Sequence, residues 1–247
     1  MTDLTVGSFF DEVFQAVSKE GHRNDYVFKS TVVKKKWLGT HSLRTAVALN
    51  EFRVGCARAD LVLLNGKASA FEVKSDLDSL ARLPSQIREY QKVFPLNWVV
   101  TNNEHARKVL EDTPTEIGVL ILTPRGQLST LRKATSTLDK IDPLVAIASL
   151  RVNEAISLLD LAGISLESSP NTRIWKQIRG KVEHIDQEVF SMLYNDTLKA
   201  SRNRKDFIPY LGKFPSSIEP MMLMSKFNSK EQAGVESVMK ERISDLR

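Results

Sequence analysis

Cysteine is nearly absent from this 247-residue chain: Cys56 is the only one. One thiol closes no intramolecular disulfide and assembles no cysteine-based zinc site. With Gly55 and Ala57 beside it, Cys56 is expected to be a small packed residue rather than a nucleophile. Histidine is scarce too. His22, His41, His105 and His184 lie far apart and form no metal-binding spacing. Apolar runs such as Leu144 to Leu150 fall far short of the roughly 20 residues needed to cross a bilayer. The opening MTDLTVGSFFDEVF meets acidic residues early and has no signal-peptide pattern, so a soluble cytoplasmic protein is expected. Internal repeats and low-complexity tracts are also missing.

What remains is an ordinary globular composition, 42% hydrophobic and 26% charged, enough to bury a core. The net charge of +5 and a pI near 9.2 are compatible with an acidic partner, of which nucleic acid is the commonest.

Phe9, Phe10, Val13, Phe14 and Val17 recur at helical spacing and predict an amphipathic helix ending near Gly21. The basic, β-branched stretch Val27 to Trp37 reads as irregular or strand-like. Val47 to Val54 is either a helix end or a first strand. Arg58 to Leu64 and Ala68 to Lys74 flank Asn65-Gly66-Lys67, a hairpin signal. Pro84 opens a predicted helix over SQIREYQKVF. Asn97 to Thr101 and Ile117 to Thr123 read as buried strands, with a short helix over Glu104 to Glu111 between them. No strand is expected after about Thr130. Leu144 to Leu161, Arg173 to Ser201 and Lys230 to Arg247 read as helical, and Gly163 to Thr172 as a loop. The expected fold is therefore α/β, a mixed sheet flanked by helices. Residues 1–130 form its core, and 131–247 form a mostly helical C-terminal region, either a cap on the sheet or a separate lobe.

The hairpin carries the chemistry. A three-residue loop pairs Leu64 with Ala68 and sets Asp60 opposite Glu72 on one sheet face, joined by Lys74 two residues on. Leu61, Leu63, Phe71 and Val73 then point the other way. A two-residue loop would put the two carboxylates on opposite faces. Paired carboxylates suit Mg²⁺ or Mn²⁺, and an adjacent lysine can orient water or offset phosphate charge. Glu51 can supply another carboxylate. Gln86 and Tyr90, four apart, share a helix face.

Asn50 to Phe94, with its R-x-D, E-x-K-S-D and Q-x-x-x-Y elements, resembles the PD-(D/E)XK nuclease superfamily, most closely a bacterial branch. A weaker match continues through Leu131 to Ala134 and the Leu150 to Gly163 segment. Residues after about 205 match nothing. Ala59 stands where the motif's proline would be. The resemblance implies a restriction-endonuclease-like fold, Mg²⁺ or Mn²⁺ as cofactor, and a nucleic-acid substrate, DNA before RNA, in a bacterial or phage setting. It implies Asp60, Glu72, Lys74, Gln86 and Tyr90 as catalytic residues and Asp60, Glu72 and Glu51 as metal ligands. A homodimer or larger complex is compatible with it. The alternative is an inactive nuclease-fold module that binds nucleic acid or a protein. Lys34, Lys35 and Lys36, next to Trp37 as a base-stacking ring, are candidate nucleic-acid contacts, as are Arg58, Arg202 and Arg204. Arg173, Lys176, Arg179 and Lys181 could line a groove or a wetted surface. Asp76 or Asp78 is expected to cap the following helix, and Met221, Met222 and Met224 to pack in the core.

Overall fold

The computed structural model describes residues 4–167 and 171–246. Its frame is one six-stranded mixed sheet in the order β1-β2-β3-β4-β5-β6, with β1 at an open edge. The chain enters through α1 (Val6–Val17) and α2 (Asp25–Val32), which runs into a π-helical turn at Val33–Leu38. Strands β1 (Val47–Val54), β2 (Ala57–Asn65) and β3 (Lys67–Val73) form an antiparallel meander. Helix α3 (Leu83–Gln91) crosses to β4 (Leu96–Thr101), and α4 (Asn103–Asp112) crosses to β5 (Gly118–Leu122). Both crossovers make parallel pairs. Strand β6 (Leu128–Arg132) turns back antiparallel on β5.

The stretch Val27 to Trp37 is helical rather than irregular or strand-like. Its buried residues, Val27, Phe28, Val32, Val33 and Trp37, repeat at helical spacing, and Asn24 Oδ1 caps the Val27 N–H. Its β-branched residues favour strands only where they line a pleated face. Strand β6 is an addition to the expected set. Its three central residues are exposed, so it carries no apolar alternation to announce it.

The remainder is helical: α5 (Pro143–Ile147), α6 (Val152–Leu161), α7 (Asn171–Val182), α8 (Gln187–Ser201), α9 (Glu219–Met224) and α10 (Ser229–Lys240). The expected loop at 163–172 has no helix or strand over 163–167; residues 168–170 lie outside those described. The helical region does not stay together. Helices α3 and α5 to α8 cover one sheet face, where Tyr90, Ile147, Leu158, Ile178 and Phe190 pack on Val62, Leu64, Ala70 and Val99. The chain then crosses over. Phe207, Phe214, Met222 and Leu223 join α2 and Trp37 on the other face, against Leu61, Phe71, Val73 and Val100. Helices α1 and α10 lie together, and Thr5 bridges Arg242. Met222 is core, whereas Met221 is exposed. Among the described residues no helix is long and apolar enough to cross a membrane.

Candidate active site

The hairpin adopts the three-residue register. Leu64 pairs with Ala68, and Gly66 takes the left-handed turn conformation that a Cβ disfavours. The Val73 N–H donates to Asp60 Oδ2 at 2.7 Å, which ties the aspartate to the strand carrying Glu72. Between the pairs Asn50–Leu61 and Phe52–Ala59, the β1–β2 register sets Glu51 opposite Asp60. Alternation breaks at this point on both strands. Ala59 and Val62 face one core while Leu61 faces the other, and Glu51 has φ 52°, a strained value for a non-glycine residue.

Glu72 and Lys74 are almost fully buried. Lys74 Nζ donates to Glu72 Oε1 at 2.8 Å and to Gln86 Oε1 at 3.0 Å. Tyr90 Oη lies 2.6 Å from Glu72 Oε2 and 2.7 Å from the Arg58 carbonyl oxygen. Gln86 and Tyr90 reach down from one face of α3, where Leu83 and Ile87 anchor the helix to the sheet. Burial, then the charge of Asp60, pushes the Glu72 carboxyl up to about 7; the bonds from Lys74 and Tyr90 only partly offset this. Glu72, Lys74, Gln86 and Tyr90 are thus joined in one hydrogen-bonded group, and Asp60 is tied beside it through the Val73 N–H.

Lys29 of α2 is the residue the sequence reading missed. Its buried ammonium pairs with Asp25 at 3.0 Å, with Asp60 Oδ1 at 3.2 Å, and with Glu51. Burial opposes its charge, but Asp60, Glu51 and Asp25 outweigh it and hold the lysine above its usual range. The signal was present: Asp25 and Lys29 stand four apart, a helical ion-pair spacing. Reading this stretch as non-helical concealed it.

Asp60 and Glu51 open onto a cleft of about 570 Å³ with Arg53, Arg58, Arg82 and Cys56 on its walls. Cys56 is exposed there, contrary to the packed position expected, because it sits in the tight β1–β2 turn. Among the described residues no three acidic, histidine or cysteine groups form a ready-made metal cluster. Glu51 meets Asp60 through Lys29. Asp25, Glu51 and Asp60 surround the Lys29 ammonium, Glu72 pairs with Lys74, and the exposed Arg58 guanidinium stands 4.0 Å from Glu51.

Several expected contacts lie elsewhere. Trp37 is buried in the core and cannot stack on a base. Lys34 sits over the Phe14 ring and Lys36 over Trp98, away from the cleft, and neither they nor Lys35 line it. Arg202 is committed to Glu154 through two bonds of 2.7 and 2.6 Å and covers Phe52. Arg204 is committed to Asp206 and to the carbonyls of Leu223 and Ser225. Arg58 remains at the cleft, 63% exposed. Neither Asp76 nor Asp78 caps α3: Asp76 is held by Arg23 and Asn102, and Asp78 by Ser75.

A family model described as Bacteriophage P4 protein cII matches residues 18–210. Protein cII of Enterobacteria phage P4 is 26% identical over 192 residues, covering 74% of this chain and 71% of its own length. A solved structure of a protein of unknown function from Silicibacter pomeroyi is 20% identical and covers 55% of this chain and 88% of that one. Its TM-score of 0.35 is too low to argue from.

Proposed function

This chain belongs to the bacteriophage P4 protein cII family, and from its site we propose that it is a metal-dependent nuclease of the PD-(D/E)XK type. It would act in the cytoplasm on phosphodiester bonds, with DNA as substrate. The observation that carries the reading is the joining of Asp60, Glu72 and Lys74 through the hairpin register, with Gln86 and Tyr90 bracing them.

Asp60 and Glu72 would hold Mg²⁺ or Mn²⁺, with Glu51 able to join them once Lys29 yields. When bound, the cation supplies Lewis-acid polarisation of a phosphoryl oxygen and activates water for attack. Lys74 Nζ lies between Glu72 and Gln86, where it can donate to an oxygen that gains charge as the bond breaks. Gln86 and Tyr90 fix the rotamers of Lys74 and Glu72 before substrate arrives. Arg58 and Arg82 on the cleft wall offset the substrate's phosphate charge.

The test is cleavage of linear, circular and single-stranded DNA, with RNA alongside, in Mg²⁺, Mn²⁺ or EDTA. The parent protein should cleave in metal, and EDTA or Glu72→Ala should abolish it. Lys74→Ala should lower kcat about 10²–10³-fold, the size expected for losing one donor to developing charge. A parent inert with every metal and substrate overturns the reading.

One observation favours a second reading, a module that binds nucleic acid or a protein without turnover. Lys29 already supplies a cation to Asp60 and Glu51. Binding without metal uptake by either parent or Lys29→Met would support that module.

A further inference from the structure

The cleft that holds Asp60 does not end at β1. A second cleft, of about 480 Å³, runs along the outer edge of that strand from Ala48 to Arg53. The two share Glu51 and Arg53 on their walls, so they meet where β1 kinks. Among the described residues no other strand pairs with this side of β1.

The second cleft is walled by cations. Arg53, Arg151, Arg202, Arg204 and Lys226 line it, and Glu51, bound to Lys29, is the one carboxylate on its walls among the described residues. Glu154 and Asp206 match Arg202 and Arg204 from behind. Arg53, Arg151 and Lys226 are exposed and form no ion pair among the described residues. They come from three separate parts of the chain: β1, the start of α6, and the segment after α9. Three unmatched cations in one groove attract a polyanion and are expensive to keep together otherwise.

We propose that this second cleft carries the phosphodiester backbone of a nucleic-acid strand that continues from the Asp60 site, held by Arg53, Arg151 and Lys226. The ligand class rests on the nuclease reading of that site. At strand rise, Ala48 to Arg53 measures about 17 Å. Successive phosphates of a single strand stand at roughly twice the ~3.4 Å axial rise of a duplex strand, so this edge carries about three of them. An oligomer of roughly 3 nucleotides therefore fills the first cleft or the second, but not both.

The test is fluorescence anisotropy in EDTA, where binding needs no turnover, with DNA and RNA oligomers of roughly 3 and roughly 20 nucleotides. The parent should bind the longer strand more tightly. Arg151→Gln combined with Lys226→Gln should weaken that binding about tenfold and lower its salt slope by about 1.4, for two lost contacts to a single strand. Arg53→Gln, at the junction, should also weaken it. Unchanged melting temperatures would exclude misfolding. Wild-type affinity and slope in the variants overturn the proposal, as does a parent that binds neither oligomer. A parent that cleaves nothing, with the variants still losing affinity, would sink the nuclease reading and leave the track standing. Cleavage by the parent with no loss of affinity in the variants would do the reverse. Preference between the DNA and RNA arms identifies the strand.

Discussion

Tyr90 Oη stands between Glu72 Oε2 at 2.6 Å and the Arg58 carbonyl at 2.7 Å, with one proton for two acceptors. Both short contacts are satisfied at once only when Glu72 carries a proton and donates it to Tyr90, which donates onward to Arg58. That agrees with the upward shift of the glutamate. An ionised Glu72 accepts the tyrosine's hydrogen bond and leaves the Arg58 carbonyl without one. Tyr90→Phe should therefore lower stability by about 1–3 kcal/mol, the cost of an unmet buried polar group. It should reduce kcat more than it raises KM, because it disorders Glu72 rather than substrate. Melting curves and steady-state kinetics check this. An unchanged melting temperature would show that the bridge is idle.

Two carboxyls set two opposite pH windows in metal-free protein. Burial would raise Glu154, but Arg202, the Arg151 N–H and Ser201 outweigh it and hold the group at about 2, against an ordinary 4.5. Its stabilisation is complete above pH 4.5 and is lost as the pH falls toward 2. Glu72 behaves in reverse. Between about pH 4.5 and 7 the folded chain keeps a proton that the unfolded chain has released, so stability falls as pH rises. Urea midpoints across pH should show both slopes. Glu154→Gln should flatten the lower one and Glu72→Gln the upper one. Slopes that survive in the variants would assign them to other groups.

Lys29 stands in for positive charge among Asp25, Glu51 and Asp60. Lys29→Met should destabilise the metal-free protein by about 1–3 kcal/mol, the range for losing bonds to charged groups whose carboxylate ends remain partly solvated. Added Mn²⁺ should then raise the variant's melting temperature by more than it raises the parent's, since the carboxylates are left unbalanced. Equal shifts in both proteins would mean that Lys29 and the metal do not share the site.

Cys56 is exposed on the wall of the Asp60 cleft. A thiol reagent should label one group per native chain without denaturant, and a bound oligonucleotide should slow that labelling. Labelling at the same rate with and without bound DNA would put the nucleic acid elsewhere.

Much of this was legible in the chain itself. The hairpin over Arg58 to Lys74, the helix carrying Gln86 and Tyr90, and the buried strands at Trp98 and Leu120 all follow from local signals: a turn residue, a proline, an apolar run. The register that sets Asp60 beside Glu72 was one of two the sequence allowed. Packing on both sheet faces selects it, because a slip of one residue would exchange Leu64 and Ala70 with Leu61 and Phe71 between differently shaped cores. The position of Lys29 was out of reach. It depends on α2 crossing the sheet so that a side chain 22 residues before Glu51 meets it, and no local pattern encodes that contact. The same holds for Arg202, whose charge reads as free until the fold brings Glu154 to it. Residue types and spacing determined which groups are able to do the chemistry. Only the tertiary structure decided which charges remain unmatched, because matching depends on neighbours that are distant in sequence.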